Sequence, residues 1–360
     1  MFVVKVDGRA RRARCVLATV ALVAAGCSGR GVPDPAAASD SRAAGASPAS
    51  ARAAADPLPS WNEGAAKAAI VAFVERVSRE DGPDFVPPGE RIAAFDDNGT
   101  LACEQPMSLQ LAFALDRIHE LAPEHPEWRT REPFKSVLEG DSKAALAGGE
   151  AAAAELIAAT GVGTTTEELN AIVTRWVLTA HHPRFGRPYI EAVYQPMVEL
   201  LAYLRANAFK TFIVSVAGAD FMRPWSEDAF GVPTEQVLGS RSHLDYEVRD
   251  GKPRIELRAG VERIADKAGK PVAIQEQIGR RPIAAFGNSD GDIEMLEWTT
   301  SGSGPRLGVI VHHTDVTREY AYDRGSATGT LARALDEAPK RGWIVVDMKQ
   351  DWKIAFPFEQ

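Results

Sequence analysis

Short apolar segments that end abruptly in small polar or acidic residues recur along the chain, and they constrain its fold more than any other feature. Helical patterns separate these segments, as at 196–207 and 327–338. Regular alternation of strand and helix is typical of α/β proteins, so we predict a doubly wound, mostly parallel sheet. The strands are predicted at 91–95, 210–215, 282–286, 306–311 and 342–347.

Two carboxylates stand at the end of the first predicted strand. Asp96 and Asp97 follow the apolar residues directly, and Asn98-Gly99 comes next. In open α/β sheets, ligands bind beyond the carboxyl ends of the strands, where a carboxylate serves as metal ligand or nucleophile. A turn after an edge strand is the alternative, because Asn-Gly favours turns. Similar polar endings on two later strands favour the ligand site.

Four motifs, in this order, resemble those of the haloacid dehalogenase-like (HAD) hydrolases, and within them the phosphoserine-phosphatase-like branch. The segment 95–101 resembles the nucleophile motif Asp-x-Asp-Gly-Thr. Ser215 stands where a Ser or Thr follows the second strand, and Lys270 where a basic residue precedes the fourth motif. The segment 288–292 stands where acidic residues close a metal site. The resemblance covers about residues 61–350 and implies a Rossmann-like core with an inserted α-helical cap.

The resemblance implies catalytic roles for three residues. Asp96 would attack phosphorus and form a phospho-aspartyl intermediate. Ser215 would donate a hydrogen bond to the phosphoryl oxygens, and Lys270 would balance charge on them and on Asp96. Two of these roles have a structural alternative, since Ser215 also suits a helix cap and Lys270 a solvated position at the start of a helix.

Magnesium is the cofactor that the resemblance implies. A hard cation of this kind takes oxygen ligands and offsets the repulsion between a phosphate ester and a carboxylate nucleophile. Its ligands would be Asp96, Asp292 and the backbone carbonyl of Asn98, with Asn288 or Asp290 nearby. For Asp290, a plain turn residue is the competing interpretation.

Asn98 departs from the family pattern. The family has an Asp here that protonates the leaving group and then activates water, work that contributes about 10² to 10⁴ in rate. Asp97 cannot simply replace it, because neighbouring side chains of a strand point in opposite directions. Three explanations remain open: most phosphatase activity is lost, the substrate has a good leaving group such as an aryl or acyl phosphate, or Asn98 deamidates to Asp because Gly99 follows it.

The segment 102–194 is predicted as the cap, and 61–101 with 195–360 as the catalytic core. Helices are expected in the cap at 108–121, 143–159 and 166–179. Glu104 lies near the place where phosphoserine phosphatases keep an acidic group for the substrate amine, but one residue short.

In the core, 244–258 alternates around Asp250-Gly251 and predicts a hairpin outside the core sheet, without catalytic duty. The pairs His181-His182 and His312-His313 are assigned structural roles.

The first residues have the pattern of a bacterial lipoprotein signal. A basic start is followed by an eleven-residue apolar run, too short to span a bilayer, and by Ala24-Ala25-Gly26-Cys27. We therefore expect a signal peptide at 1–26, lipid on Cys27 and a flexible linker at 27–60. The protein would be exported and held on the periplasmic or extracytoplasmic side of a membrane.

These residues together predict a Mg²⁺-dependent phosphatase that acts on a small phosphomonoester. The alternative is a phosphate-ligand binding protein that Asn98 has weakened as a catalyst. Carbon–halogen hydrolysis fits less well, because the metal residues would be superfluous. The net charge of -8 argues against a nucleic-acid partner, which usually meets a basic surface.

Overall fold

A computed structural model describes residues 56–359, and the signal peptide, Cys27 and most of the predicted linker lie outside them. The chain alternates between strands and helices. The strands are β1 Ile92–Phe95, β2 Lys210–Gly218, β3 Val237–Arg249, β4 Lys252–Arg263, β5 Ala284–Gly287, β6 Leu307–His312 and β7 Ile344–Asp347. The α-helices are α1 Ala65–Ser78, α2 Leu109–Leu121, α3 Phe134–Leu138, α4 Ser142–Ala145, α5 Glu150–Ala159, α6 Thr166–Thr179, α7 Gln195–Ala206, α8 Ala219–Phe230, α9 Gly269–Gln277, α10 Ile293–Thr300, α11 Arg333–Arg341 and α12 Met348–Asp351.

The strands form one sheet in the order β4-β3-β2-β1-β5-β6-β7. All neighbours are parallel except β3 and β4. This confirms the predicted α/β fold with a mostly parallel sheet. Because β1 is central and lies between β2 and β5, the residues that follow these three strands meet at one edge of the sheet.

Burial explains why β1 is short and apolar. All four of its residues are buried, as a strand covered on both faces requires. Phe95 stacks on Phe286 of β5 with ring centroids 4.2 Å apart. This pair fixes β1 against β5 one residue before the acidic segment begins.

Helices α2 to α7 lie between β1 and β2, and part of this segment has its own apolar cluster. Trp128 and Phe134 stack at its centre. The helices predicted at 108–121 and 166–179 match α2 and α6, the latter with a capping box from Thr165 to Glu168. The Ala-rich stretch 143–159 forms two helices instead of one, because Gly149 with φ +63° interrupts it. The domain boundaries at 102 and 194 stay predictions.

The hairpin at Asp250-Gly251 is confirmed, with φ of 53° and 75° at these two residues. β3 pairs with β2 only at its start, up to Ser240, and with β4 over the rest of its length. Within the sheet, residues 244–258 thus pair only inside the hairpin, as an excursion from the core sheet, which agrees with the prediction.

The N-terminal boundary of the folded part also differs from the prediction. Leu58 is fully buried, and Ser60 binds Glu199 of α7 through both its backbone N–H (2.9 Å) and its hydroxyl (2.6 Å). Residues 56–60 therefore pack on the core and do not belong to the flexible linker. None of the helices within 56–359 is long and apolar enough to cross a membrane.

Candidate active site

Lys270 joins two carboxylates at the end of the central strands. Its ammonium group donates to Asp96 Oδ1 at 2.5 Å and to Asp292 Oδ1 at 2.7 Å. A third hydrogen bond, of 2.9 Å, goes to the carbonyl oxygen of Val214 in β2. All three charged side chains are buried. The predicted residues from β1, α9 and the turn after β5 thus meet in one ion-paired array.

Burial and charge oppose each other in this array. Burial raises the pKa of Asp96, the negative charge of Asp292 raises it further, and Lys270 offsets part of the effect. Burial alone would lower the pKa of Lys270, but the two carboxylates reverse this and hold it above its ordinary value. Lys270 therefore stays a cation in a site from which water is largely excluded.

The turn after β5 is built around Asp292. Its Oδ2 accepts hydrogen bonds from the backbone N–H groups of Asn288 and Ser289 and from the Ser289 hydroxyl, at 3.0 to 3.1 Å. A side chain at Gly287 would meet Asp292 Cγ at 2.5 Å, so the turn needs glycine there. These contacts orient Oδ1 of Asp292 toward Lys270.

Asp97 organises the loop after β1 through its backbone. Its carbonyl oxygen accepts hydrogen bonds from the N–H groups of Thr100, Leu101 and Ala102, at 2.8 to 3.1 Å. Its side chain is buried, and Oδ1 has no hydrogen-bond partner in the described part of the chain. Burial raises the pKa of Asp97 to about 7, and Lys270 opposes the rise.

Asn98 lies at the centre of this loop and is buried. The backbone N–H of Gly99, whose nitrogen would attack the Asn98 side chain during deamidation, donates to Ala102 O at 2.7 Å. Gly99 has φ +75°, and a Cβ at this position would clash with the side chains of Asn288 and Glu104. The loop is therefore fixed in a geometry that opposes conversion of Asn98 to Asp.

Ser215 is fully buried one residue after Val214. Its hydroxyl oxygen accepts a hydrogen bond from the backbone N–H of Ala217 at 3.2 Å. The next N–H, of Gly218, donates to Oε1 of Gln110 on α2 at 2.9 Å. Gln110 links the segment between β1 and β2 to the end of β2, a contact that sequence reasoning missed because no motif marks it.

The two other candidates of the fourth motif have separate structural roles. Both carboxylate oxygens of Asp290 accept backbone N–H groups at the start of α11, at 2.9 to 3.1 Å. Asn288 accepts from the Thr100 hydroxyl (3.0 Å) and donates to Glu104 Oε1 (2.8 Å). Asp290 is thus a helix cap, and α11 begins at Arg333, later than the predicted 327, because this cap fixes its first turn.

Glu104 is a buried member of the site. Besides Asn288, the hydroxyl of Tyr322 donates to its Oε1 at 2.9 Å. Burial raises the pKa of Glu104 to about 8, although Tyr322 opposes the rise. The sequence pointed to Glu104 only through the family resemblance, and nothing in it indicated Tyr322, which lies 218 residues away.

The family model described as haloacid dehalogenase-like hydrolase matches residues 93–297, more than half of the chain. The protein belongs to the HAD hydrolases. The match includes the four predicted motifs, the ion-paired array and the segment between β1 and β2.

Solved structures similar to this HAD hydrolase include two proteins of unknown function and a phosphoserine-phosphatase-like protein. A protein from Anaerococcus prevotii DSM 20548 is 15% identical, with 78% of this chain and 91% of that chain covered and a TM-score of 0.50. A protein from Bordetella pertussis Tohama I is 17% identical, with coverage of 72% and 99% and a TM-score of 0.45. A phosphoserine phosphohydrolase-like protein from Francisella tularensis subsp. tularensis SCHU S4 is 12% identical, with coverage of 69% and 98% and a TM-score of 0.34. No match was found among curated proteins.

The donor atoms of this HAD site suit a hard cation. Within residues 56–359, no group of three or more His, Cys, Asp or Glu side chains is arranged to hold a metal ion. Mg²⁺, however, is commonly bound by one or two carboxylates, with waters and substrate phosphate completing its shell. Asp96 and Asp292 supply two buried carboxylates, and Asp97 adds an unpartnered carboxylate oxygen close by in sequence. This oxygen-rich, acidic set fits magnesium better than a soft metal.

Proposed function

We propose that this HAD hydrolase is a Mg²⁺-dependent phosphatase that hydrolyses a small phosphomonoester through a phospho-aspartyl intermediate on Asp96. The array of Asp96, Lys270 and Asp292 carries the proposal. It places a buried carboxylate beside a fixed cation at the carboxyl end of the central strand, where α/β proteins bind ligands.

Asp96, Asp292 and the backbone carbonyl of Asn98 would hold the ion. When bound, Mg²⁺ would offset the charge of the substrate phosphate, which otherwise repels a carboxylate nucleophile. The donor chemistry of these residues supports this assignment.

The remaining catalytic roles belong to side chains of the protein itself. Lys270 holds Oδ1 of Asp96, so the other carboxylate oxygen is the one that attacks phosphorus. A bond from this oxygen to phosphorus forms, the ester bond from phosphorus to the leaving oxygen breaks, and water later cleaves the acyl phosphate. The Ser215 hydroxyl would donate a hydrogen bond to a phosphoryl oxygen, and Lys270 would stabilise the charge.

Asn98 determines which substrates suit the site. An amide cannot give a proton to the leaving oxygen, so an alkyl phosphate loses the assistance of about 10² to 10⁴ that an acid supplies. In an aryl or acyl phosphate, the aryloxide or carboxylate leaving group can depart without that proton. We therefore propose a substrate of this class, such as a small aryl phosphate.

Asn98 also favours a second candidate function. If water activation fails as well, the site would bind a phosphorylated ligand and turn it over slowly or not at all. The same four residues, Asp96, Ser215, Lys270 and Asp292, would then form a phosphate-binding pocket.

Hydrolysis of p-nitrophenyl phosphate with and without Mg²⁺ separates these functions. The variants are Asp96→Asn, Asn98→Asp and Asp290→Asn, the last a matched control because asparagine also caps helices. A phosphatase requires magnesium-dependent turnover that Asp96→Asn abolishes and Asp290→Asn leaves intact. Turnover only in Asn98→Asp indicates that the native protein is a binding protein. If neither the wild type nor any variant turns the substrate over, both the proposed mechanism and the phosphate-binding pocket are refuted.

We also propose that the protein is exported and lipid-anchored through Cys27. The basic start, the short apolar run and the small residues before Cys27 support this. Cell fractionation of the wild type and Cys27→Ser tests it. The wild type is expected in the membrane fraction and the variant in the soluble extracytoplasmic fraction; equal distributions would contradict the anchor.

A further inference from the structure

A buried polar network lies behind the loop that follows β1, and the proposed reaction does not use it. Glu319 is its centre. Oε1 of Glu319 accepts hydrogen bonds from the Cys103 thiol and the Tyr194 hydroxyl, both at 3.1 Å. Oε2 faces His313 Nδ1 at 3.1 Å. All four side chains are buried, so the network has been built at the cost of removing these polar groups from water.

Hydrogen-bond geometry places one proton of His313. Its Nε2 lies 2.8 Å from the carbonyl oxygen of Gly99, which only accepts, so Nε2 carries a proton. Oε2 of Glu319 faces the other ring nitrogen, Nδ1, at 3.1 Å. Burial alone would raise the pKa of Glu319, but the facing His313 and the other donors bring it below its ordinary value. Glu319 therefore holds the ring from one side while Nε2 binds the loop on the other.

Other side chains also restrict the loop at Gly99. The side chains of Glu104 and Asn288 leave no room for a Cβ at Gly99. The ring of Tyr322 stacks on His313 with centroids 4.3 Å apart, and its hydroxyl binds Glu104. The contact from His313 holds the Gly99 carbonyl itself, on the peptide unit that links Gly99 to Thr100.

We propose that His313, oriented by Glu319, is a positioning residue that fixes the loop between Asp96 and Ala102. Its hydrogen bond to Gly99 sets the direction of the adjacent backbone, including the carbonyl of Asn98 that we assign to the ion. The inference deepens the proposed function and rests on it for its catalytic consequence. Its structural consequence, a more mobile loop when the contact is lost, does not depend on turnover.

Three variants test the contact by its chemistry. His313→Leu removes the donor, and His313→Gln keeps an amide N–H near the position of Nε2. His312→Leu is the matched control, since His312 is the neighbouring residue and faces Asp323 at 3.5 Å instead of the loop. We expect His313→Leu to lower kcat by about ten- to a hundredfold, the range of a small misplacement of reacting groups, with little change in KM. His313→Gln should restore most of kcat, and His312→Leu should match the wild type.

Amide hydrogen exchange gives the second readout. The N–H groups of Gly99 to Ala102 are all bonded within the loop. Exchange across 96–103 should become faster in His313→Leu and stay slow in His313→Gln and His312→Leu. If the wild type lacks turnover, the proposed function fails, while the exchange comparison still decides the role of His313.

Two results would overturn the inference. One is a loop in His313→Leu that exchanges as slowly as in the wild type. The other is an active wild type in which His313→Gln loses as much kcat as His313→Leu, because the donor at Nε2 is then irrelevant. If His313→Leu does not fold, Glu319→Gln replaces it, since it keeps the volume and removes the charge that orients His313. Unchanged kcat and exchange in that variant would refute the positioning role.

Discussion

Replacing Asp97 by Asn should stabilise the folded protein above pH 7 and leave it unchanged near pH 4. The Asp97 side chain is 2% exposed, and its Oδ1 has no hydrogen-bond partner among residues 56–359. Burial disfavours its charged form and raises its pKa from 3.8 to about 7. Asparagine has nearly the same shape without the charge, so the substitution removes the cost of burying a carboxylate.

The size of the effect follows from the two pKa values. The difference between 3.8 and about 7 corresponds to about 4 kcal/mol, at roughly 1.4 kcal/mol for each pH unit. Because the folded pKa is the higher one, Asp97 causes no penalty below pH 3.8; stability is lost as the pH rises from 3.8 to about 7, and the loss is constant above that. The protonated carboxyl and the amide are both neutral, so the cost of leaving a buried polar group unpaired is similar for both and cancels. We therefore expect a gain of up to about 4 kcal/mol for Asp97→Asn above pH 7.

Urea denaturation, followed by the fluorescence of the seven tryptophans, measures this gain. Free energies of unfolding are compared from pH 4 to pH 8 in the presence of EDTA, so that no divalent cation neutralises the carboxylate. Asp81→Asn, on an exposed turn, is the matched control. The stability difference for Asp97→Asn should grow between pH 4 and pH 7 and then level off, whereas the control should differ little from the wild type at any pH.

A constant difference across the pH range would refute this reasoning, since it would show that the charge of Asp97 carries no cost. A loss of stability at pH 8 would refute it more strongly. That result would mean that the carboxylate has favourable partners in the fold, and that its negative charge stabilises the loop or Lys270.

Four further outcomes are expected. Lys270→Met should destabilise the protein by about 3 to 5 kcal/mol in urea, because it leaves two buried carboxylates unpaired. Lys67→Met should cost about 1 kcal/mol or less, since its two carboxylate partners are 42% and 86% exposed. Millimolar Mg²⁺ should raise the Tm of the wild type and raise it less in Asp292→Asn, as calorimetric scans would show. Leu58→Ala should cost about 2 to 5 kcal/mol in urea denaturation, because Leu58 is fully buried.

The sequence was informative where the chemistry depends on neighbours along the chain. The strands β1 and β5 are short apolar runs with polar ends, and the residues after parallel strands must meet at one edge of the sheet. Asp96 and Asp292 were therefore predictable as members of one site. The turn at Asp250-Gly251 was predictable for the same local reason, because these residues adopt positive φ.

Contacts over long distances along the chain were not predictable in this way. Cys103 and Glu319 are 216 residues apart, and His313 reaches Gly99 across 214 residues. No spacing rule connects such pairs, since only the completed sheet brings them together. The sequence also gives Asp290 and Asp292 the same side chain in one turn, and it does not show that the start of α11, 42 to 44 residues later, lies against Asp290.

The site at the ends of β1 and β5 combines an excess of buried acid with an amide at the position of the acid catalyst. Asp96, Asp97, Glu104 and Asp292 are four buried carboxyl groups, and the ammonium group of Lys270 bonds two of them. Burying several carboxylates with one cation is unfavourable, so the folded site gains stability from any further cation that enters it. Asn98 does not change this balance, because an amide carries no charge. Cation binding and proton transfer are therefore separable here: with an amide in place of the acid, the site keeps its electrostatic reason to bind a cation, and under the proposed function that cation would in turn attract the phosphate.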